Sequence, residues 1–149
     1  MTEDRRQNTD KFKDLSELEL MTICIYGEAR NQGLDGMLAV ASVIFNRAKN
    51  PSWWGGDIKS VILKPWQFSC LNENDPNRKI LENITVDFQD SLERLSMLCH
   101  CYWIAKGLLE GYLSSNVGGA THYHTRQVKP EWKDKLKKII QIGDHIFYV

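Results

Sequence analysis

Apolar residues recur at helical spacing in three long stretches of the sequence, residues 15–29, 34–49 and 87–113. This spacing places the apolar side chains on one face of a helix, which must then be buried against a neighbouring element. Alternation typical of strands is confined to two short stretches, residues 121–125 and 139–149. The sequence therefore predicts a fold of the α+β class that is mostly helical and has a small β element.

Residues that begin and end helices set the expected boundaries. Asp14, with Glu17 three residues later, resembles a capping box, so the first helix should begin there and end near Ala29. Asp57 is expected to cap a short helix that continues to Lys64. Both boundaries rest on side chains that satisfy the free N–H groups of a helix start.

The middle and the C-terminal part of the chain carry further signals. Residues 87–113 predict the longest helix of the domain, which we expect to be its central helix. Pro130 suits the first turn of another helix, and Gly143-Asp144 separates two strand-like runs, as in a hairpin. The irregular segment 64–78 is polar with two aromatic residues, and loops of this length are often functional.

Length and charge bound the class of protein. A chain of 149 residues suits one domain, and we interpret residues 1–13 as a flexible polar arm before a single domain at residues 14–149. The 19 Lys and Arg balance the 19 Asp and Glu, so bulk charge does not indicate a nucleic-acid binder. No apolar run approaches the roughly 20 residues of a membrane span. The polar N-terminus lacks the apolar core of a signal peptide, so synthesis in the cytoplasm is expected.

The cysteines and histidines do not show the spacing of a metal site. His122 and His124 alternate on a predicted strand and share a face, but zinc needs three or four converging ligands. We therefore predict neither a metal nor another cofactor. A hydrolase with Ser69 or Cys70 as nucleophile is a weaker alternative, since no oriented base is evident. The four cysteines form no CxxC pair and are expected to be reduced: Cys24, Cys70, Cys99 and Cys101.

Glu28 is the most informative candidate for chemistry, in the stretch YGEAR at residues 26–30. A carboxylate near the C-terminal end of a helix is unfavourable with respect to the helix dipole, so a neighbour must compensate it. One interpretation is an ion pair with Arg30. The other is a general acid held beside Tyr26 at the edge of a cleft.

Two adjacent tryptophans, Trp53 and Trp54, lie in the segment that ends the second helix. Pro51 and Gly55-Gly56 in the same segment cannot continue a helix. Core packing and an aromatic platform for sugar rings explain the two indoles equally well.

In their order along the chain, several motifs resemble those of the spore cortex-lytic (SleB/CwlJ-type) cell wall hydrolases. They are the YGEAR stretch at residues 26–30, the asparagine-arginine pair at residues 46–47 and the glutamine-phenylalanine-serine loop at residues 67–69. The later GGATHYH and the closing IGDHIFY fit as well. The resemblance extends over about residues 15–148, and the order and spacing of the motifs make it specific.

This resemblance implies a lysozyme-like, lytic-transglycosylase-like fold, peptidoglycan as substrate and Glu28 as the catalytic residue. Asn31 and Gln32 depart from the family pattern, which has a glycine and often an acidic residue there. His124 stands where an aromatic residue or an asparagine is expected. The side chains expected to hold the substrate are Tyr26, Gln67, Phe68, Ser69, His122 and Tyr123.

A single convincing carboxylate suits a lytic transglycosylase, since a hydrolytic glycosidase normally needs two. Asp35 and Asp57 are better explained as helix caps. Glu28 would protonate the glycosidic oxygen between N-acetylmuramic acid and N-acetylglucosamine, and would then accept the proton of the muramyl C6 hydroxyl as a 1,6-anhydro ring closes. The alternatives are a muramidase, an amidase, which usually needs zinc, and a non-catalytic peptidoglycan-binding module.

A compact wall enzyme made in the cytoplasm resembles a phage endolysin, which a holin releases at lysis. The expected protein is therefore a monomer that acts on the bacterial cell wall after release. No nucleic-acid partner and no membrane span are expected.

Overall fold

The computed structural model of the chain describes residues 10–65 and 67–149. This part of the chain contains six α-helices followed by a three-stranded sheet, which confirms the mostly helical α+β prediction. The helices are α1 Glu17–Ala29, α2 Gly33–Lys49, α3 Ile58–Leu63, α4 Pro76–Val86, α5 Phe88–Arg94 and α6 Ser96–Glu110. The strands are β1 His122–Thr125, β2 Lys138–Ile142 and β3 His145–Tyr148.

Helix α1 forms the centre of the core. Every residue from Leu20 to Tyr26 is buried, and the helix packs against α2, α3 and α6. A helix that is apolar all round needs neighbours on more than one side, which these three helices provide. The end of α1 at Ala29 is where the sequence predicts it.

The three expected caps have different outcomes. Helix α1 begins after Ser16 and not after Asp14, because Ser16 and Glu19 form a capping box with N–H···O distances of 3.1 and 2.8 Å. The Asp57 cap of α3 is confirmed, with its carboxylate accepting a backbone N–H at 2.8 Å. Asp35 is exposed in the first turn of α2, so it is not a cap. Its carboxylate there still interacts favourably with the helix dipole.

The sequence predicts one central helix over residues 87–113, but the structure has two helices there with a break between them. Leu95 interrupts the helical path between α5 and α6 with an extended backbone at φ −108° and ψ 100°. Gly111 ends α6 at φ +87°, a left-handed conformation that costs glycine little. Helix α4 is an element that the sequence interpretation missed, although Asp75 caps it and Pro76 occupies its first position.

The C-terminal hairpin is confirmed, with its two strands on either side of Gly143-Asp144, but the helix predicted before it is not. The helix expected after Pro130 is a single 3-10 turn, Glu131–Asp134, and residues 138–142 form β2. Strands β1 and β2 both pair antiparallel with β3, in the order β1-β3-β2. Pairing with β3 satisfies the backbone hydrogen-bonding groups of β2.

The predicted arm at residues 1–13 lies mostly outside the described residues. Within it, Asp10–Phe12 forms a 3-10 turn and the Phe12 side chain is fully buried. The Phe12 ring centre lies 5.0 Å from the guanidinium carbon of Arg78. Phe12 is therefore part of the core, and the boundary at residue 14 stays a prediction.

All four cysteines are unpaired, and three of them are buried. Burial raises the pKa of the Cys101 thiol to about 12. Across residues 10–65 and 67–149, no helix has the length and apolar character that crossing a membrane requires.

Candidate active site

Glu28 lies in the last turn of α1 and accepts hydrogen bonds from three donors. The Tyr123 hydroxyl on β1 donates to Oε1 at 2.5 Å. The Cys70 backbone N–H and the Ser69 hydroxyl donate to Oε2 at 3.1 and 3.4 Å. Two segments that are far from α1 in sequence, residues 69–70 and strand β1, therefore converge on one half-buried carboxylate.

Arg30 makes its hydrogen bonds away from the Glu28 carboxylate. Its guanidinium donates to the Tyr26 carbonyl oxygen at 3.1 Å and to Oδ1 of Asn77 at 2.7 Å. It also lies over the Tyr26 ring, 4.9 Å from the ring centre. The donors that compensate Glu28 are thus Tyr123 and the 69–70 segment, in place of the ion pair with Arg30 considered from the sequence.

Gly27 has a packing reason to be glycine. A Cβ at this position would lie 2.7 Å from Cβ of Cys70 and 2.8 Å from its sulfur, far inside van der Waals contact. The absence of a side chain lets the 3-10 turn Ser69–Leu71 approach α1. This close approach brings the Cys70 N–H within reach of Glu28.

A cleft of 750 Å³ opens beside Glu28, a size typical of ligand sites. Its walls come from the α1–α2 turn, the segment around the Ser69–Leu71 turn, strand β1 with the loop that follows it, and the turn between β2 and β3. The lining residues are Gly27, Glu28, Arg30, Asn31, Gln32, Arg47, Gln67, Phe68, Ser69, Asn77, Tyr123, His124, Thr125, Gln127, Val128, Asp144 and His145.

The structure brings some of the expected substrate-binding residues to this cleft and leaves two outside it. Tyr26 is buried and not part of the lining, and the His122 ring packs between Trp54 and Trp132 at 5.9 and 5.0 Å. Aromatic packing therefore holds His122 outside the cleft, whereas Tyr123 and His124 on the same strand both line it. The expected residues that line the cleft with Glu28 are Gln67, Phe68, Ser69 and Tyr123.

Arg47 is a cleft residue that the sequence analysis quoted as part of a motif but did not assign to the site. Its side chain is buried, and Nε donates to the Thr121 carbonyl oxygen at 2.7 Å. The guanidinium lies 5.4 Å from the Trp54 ring centre and 5.6 Å from that of Phe68. A terminal nitrogen donates to Oε1 of Gln67 at 3.4 Å. The signal in the sequence that could have identified this residue was an arginine within an apolar helical pattern.

Asp144 is a second carboxylate in the cleft lining, and the sequence analysis identified it only as a turn residue. Its Oδ1 accepts from Arg126 at 3.0 Å, and its Oδ2 accepts from the Gln32 amide at 3.4 Å. The Asp144 N–H donates to Oε1 of Gln32 at 2.9 Å. Gln32 therefore ties the β2–β3 turn to the α1–α2 turn across one end of the cleft.

The electrostatics of the site keep two groups beside Glu28 uncharged. Burial raises the pKa of Tyr123 well above its usual value, and the neighbouring Glu28 carboxylate raises it further. Burial lowers the pKa of His145, whose ring packs against Tyr123 with 4.9 Å between centres. Tyr123 is therefore a neutral phenol that donates to Glu28, and His145 is a neutral imidazole at neutral pH.

The Cys70 thiol is poorly suited to act as a nucleophile. Its sulfur is buried and contacts the Cys24 carbonyl oxygen at 3.9 Å. A hydrogen bond with the Cys24 thiol, together with burial, raises the pKa of Cys70 well above its usual value. In the described residues, no group of three or more His, Cys, Asp or Glu side chains is placed to hold a metal ion.

The fold places a helix-end glutamate at the edge of a cleft between the helices and the small sheet. The Cell Wall Hydrolase family matches residues 31–148. The chain therefore belongs to the cell wall hydrolase family. The matched segment begins just after Glu28 and includes every other residue of the cleft except Gly27 and Arg30.

The similar proteins are longer than this chain. The spore cortex-lytic enzyme of Halalkalibacterium halodurans is 29% identical over 133 residues, which are 89% of this chain and 34% of that protein. The spore cortex-lytic enzyme of Oceanobacillus iheyensis is 33% identical over 73 residues, 46% of this chain and 26% of that protein. The chain thus spans about a third of the length of these relatives or less.

Two solved structures share the fold. The catalytic domain of the germination-specific lytic transglycosylase SleB from Bacillus anthracis aligns with a TM-score of 0.66 at 24% identity, covering 92% of this chain and 98% of that one. The catalytic domain of the Bacillus cereus SleB protein aligns with a TM-score of 0.63 at 24% identity, covering 95% of this chain and 98% of that one.

Proposed function

We propose that this chain cleaves the glycan strand of peptidoglycan as a lytic transglycosylase, with Glu28 as the acid and base. The observation that carries the proposal is the convergence of Tyr123, Ser69 and the Cys70 N–H on the Glu28 carboxylate at the wall of a cleft. Membership of the cell wall hydrolase family and the names of the similar proteins support it.

In the proposed reaction, Glu28 donates a proton to the oxygen that joins C1 of N-acetylmuramic acid to N-acetylglucosamine. The C1–O bond breaks, N-acetylglucosamine leaves with a free hydroxyl, and positive charge develops at C1. The acetamido group of the substrate stabilises this charge. Glu28, now a carboxylate, takes the proton of the muramyl C6 hydroxyl as that oxygen bonds to C1. The 1,6-anhydro ring is complete, and Glu28 is protonated again.

The surrounding side chains have distinct roles in this proposal. Tyr123 and the 69–70 segment hold the Glu28 carboxylate in one orientation while its proton leaves and returns. Arg47 donates to the Gln67 side-chain oxygen, which leaves the Gln67 NH₂ group to donate to the substrate. The internal C6 hydroxyl is tethered to the reacting sugar, so it can outcompete water as the nucleophile.

A muramidase is the second candidate, because Asp144 lines the same cleft as Glu28. A hydrolase needs a second carboxylate to activate water or to attack the sugar. The hydrogen bonds of Asp144 tie it to Arg126 and Gln32 at one end of the cleft. We favour the mechanism that requires Glu28 alone, because a tethered C6 hydroxyl needs no second carboxylate to activate it.

The experiment that tests the proposal is mass spectrometry of the fragments released from purified peptidoglycan sacculi. Each 1,6-anhydro end is lighter than a hydrolysed end by one water, so the two products are distinct. We expect anhydro ends. Reducing muramic acid ends would identify a muramidase, and release of stem peptides from intact glycan would identify an amidase. Release through a holin and a monomeric state in solution stay predictions.

A further inference from the structure

We propose that Trp53 is a sugar-stacking platform that extends the glycan-binding cleft along the protein surface. This inference rests on the proposed function, since the ligand is the glycan strand that Glu28 would cut. A cleft of 750 Å³ holds only part of a glycan strand. The further sugars of the strand must therefore continue over the protein surface beside the cleft.

The two adjacent tryptophans have different environments. Trp54 is buried, and its indole N–H donates to the carbonyl oxygens of Arg47 and Asn50 at 2.9 and 3.2 Å. Trp53 is 56% exposed, and its ring meets the Trp54 ring edge-on at 5.5 Å. Trp54 is therefore a core residue, and Trp53 presents its indole to solvent.

A rigid turn presents the Trp53 ring. Ser52 and Gly55 bond to each other on both sides of the tryptophan pair, with N···O distances of 3.3 and 3.0 Å. Gly55 has φ +121° and no room for a side chain, since a Cβ would lie 2.6 Å from the Ser60 hydroxyl. A side chain held on such a turn loses little conformational entropy when a ligand binds.

Ring contacts connect this platform to the cleft. The Arg47 guanidinium lines the cleft and lies 5.4 Å from the Trp54 ring centre, and Trp53 lies next to Trp54. The His122 ring continues the same row of aromatic groups at 5.9 Å from Trp54. Two ring contacts therefore link the exposed Trp53 indole to the Arg47 guanidinium in the cleft wall.

The chemistry of an exposed indole suits a sugar ring. The C–H groups on one face of a pyranose form an apolar surface that packs against the flat aromatic ring, while its hydroxyls stay in water. More than half of the Trp53 surface is exposed to water, and the hydration of so large an apolar surface is unfavourable. Burial of this ring under a sugar removes that cost.

The test compares Trp53→Ala with Trp103→Ala, because Trp103 is 59% exposed on α6 and does not line the cleft. Binding to sacculi is measured by co-sedimentation in the Glu28→Gln background, so that the substrate is not consumed. We expect Trp53→Ala to weaken binding about three- to tenfold and Trp53→Phe to retain most of it. Trp103→Ala should bind like its parent, and thermal melts confirm that all variants fold.

A second readout uses enzymes with Glu28 intact. Trp53→Ala should raise the sacculus concentration at half-maximal rate and leave the maximal rate and the cutting of short soluble glycan fragments unchanged. Equal binding by the Trp53→Ala and Trp103→Ala variants overturns the platform. A chain that binds sacculi without cutting them refutes the proposed function, while the binding comparison still decides Trp53. If the chain neither binds nor cuts sacculi, the proposed function and the Trp53 platform are both refuted.

Discussion

The Tyr123 hydroxyl donates a 2.5 Å hydrogen bond to Oε1 of Glu28. Burial and then the Glu28 carboxylate raise the pKa of Tyr123, so the phenol keeps its proton and acts only as a donor. A strand residue thereby orients a carboxylate at the end of a helix far away in sequence. The first two predictions each replace one residue of this pair.

Replacing Glu28 by Gln should abolish cutting of sacculi while the domain stays folded. The amide keeps the shape and the acceptor oxygen for Tyr123 but cannot supply a proton. We expect activity to fall at least about 100-fold, within the range that general acid–base catalysis contributes. Rates of fragment release and circular dichroism measure the two effects. Lysis at the wild-type rate would refute the assignment of Glu28.

Tyr123→Phe should lower kcat about tenfold with little change in KM, because it removes one charge-assisted hydrogen bond that orients Glu28. Tyr112→Phe is the matched control, since Tyr112 is exposed and lies outside the cleft lining. Steady-state rates on sacculi separate the two variants. An unchanged kcat in Tyr123→Phe would show that the other donors suffice to hold Glu28.

Asp144→Asn distinguishes the mechanisms with one and with two carboxylates. With Glu28 alone as acid and base, activity should fall much less than the ~100-fold expected for loss of a catalytic carboxylate. Asp57→Asn is a control outside the cleft, and it should cost about 1 kcal/mol or less of stability because Asn also caps helices. Loss of cutting in Asp144→Asn, with reducing ends in the wild-type products, would establish a muramidase.

Cys70→Ala should preserve activity, because the group that contacts Glu28 is the backbone N–H of residue 70. Removal of the buried sulfur should lower the free energy of unfolding by about 1–2 kcal/mol. Cys99→Ala, at a partly exposed cysteine, should cost less. Chemical denaturation and rates on sacculi provide the measurements. Complete inactivity of a folded Cys70→Ala variant would revive the thiol-nucleophile alternative.

Stability should decrease as the pH falls below about 6.5, because burial lowers the pKa of His145 and of His122. Between the lowered pKa and about 6.5 the unfolded chain binds more protons than the folded one. The stability that the two histidines contribute is therefore complete above about pH 6.5. It is lost as the pH falls through their folded-state pKa values. Melting temperatures from about pH 7.5 to 5.5 test this, with His145→Gln expected to show a shallower slope. A flat profile in the wild type would contradict it.

Local signals in the sequence determined those parts of the fold whose energetics are short-range. The bounds of α2, the Asp57 cap and the turn at Gly143-Asp144 all lie where the sequence predicts them. Caps and turns depend on hydrogen bonds and backbone conformations within about four residues, so a local pattern encodes them. The end of α1 at Ala29, next to Glu28, was likewise predicted from the local sequence.

Only the tertiary structure decided how the site is assembled. The break at Leu95, and the single 3-10 turn in place of the helix predicted after Pro130, follow from tertiary packing, which no local pattern records. The places of Arg47 and Asp144 in the cleft, and of His122 outside it, depend on contacts between remote segments. The sequence by itself identified Glu28 as the residue to test; the packing of α1 against the Ser69–Leu71 turn and β1 determined which donors surround it, since hydrogen bonds between distant segments exist only once the chain has folded.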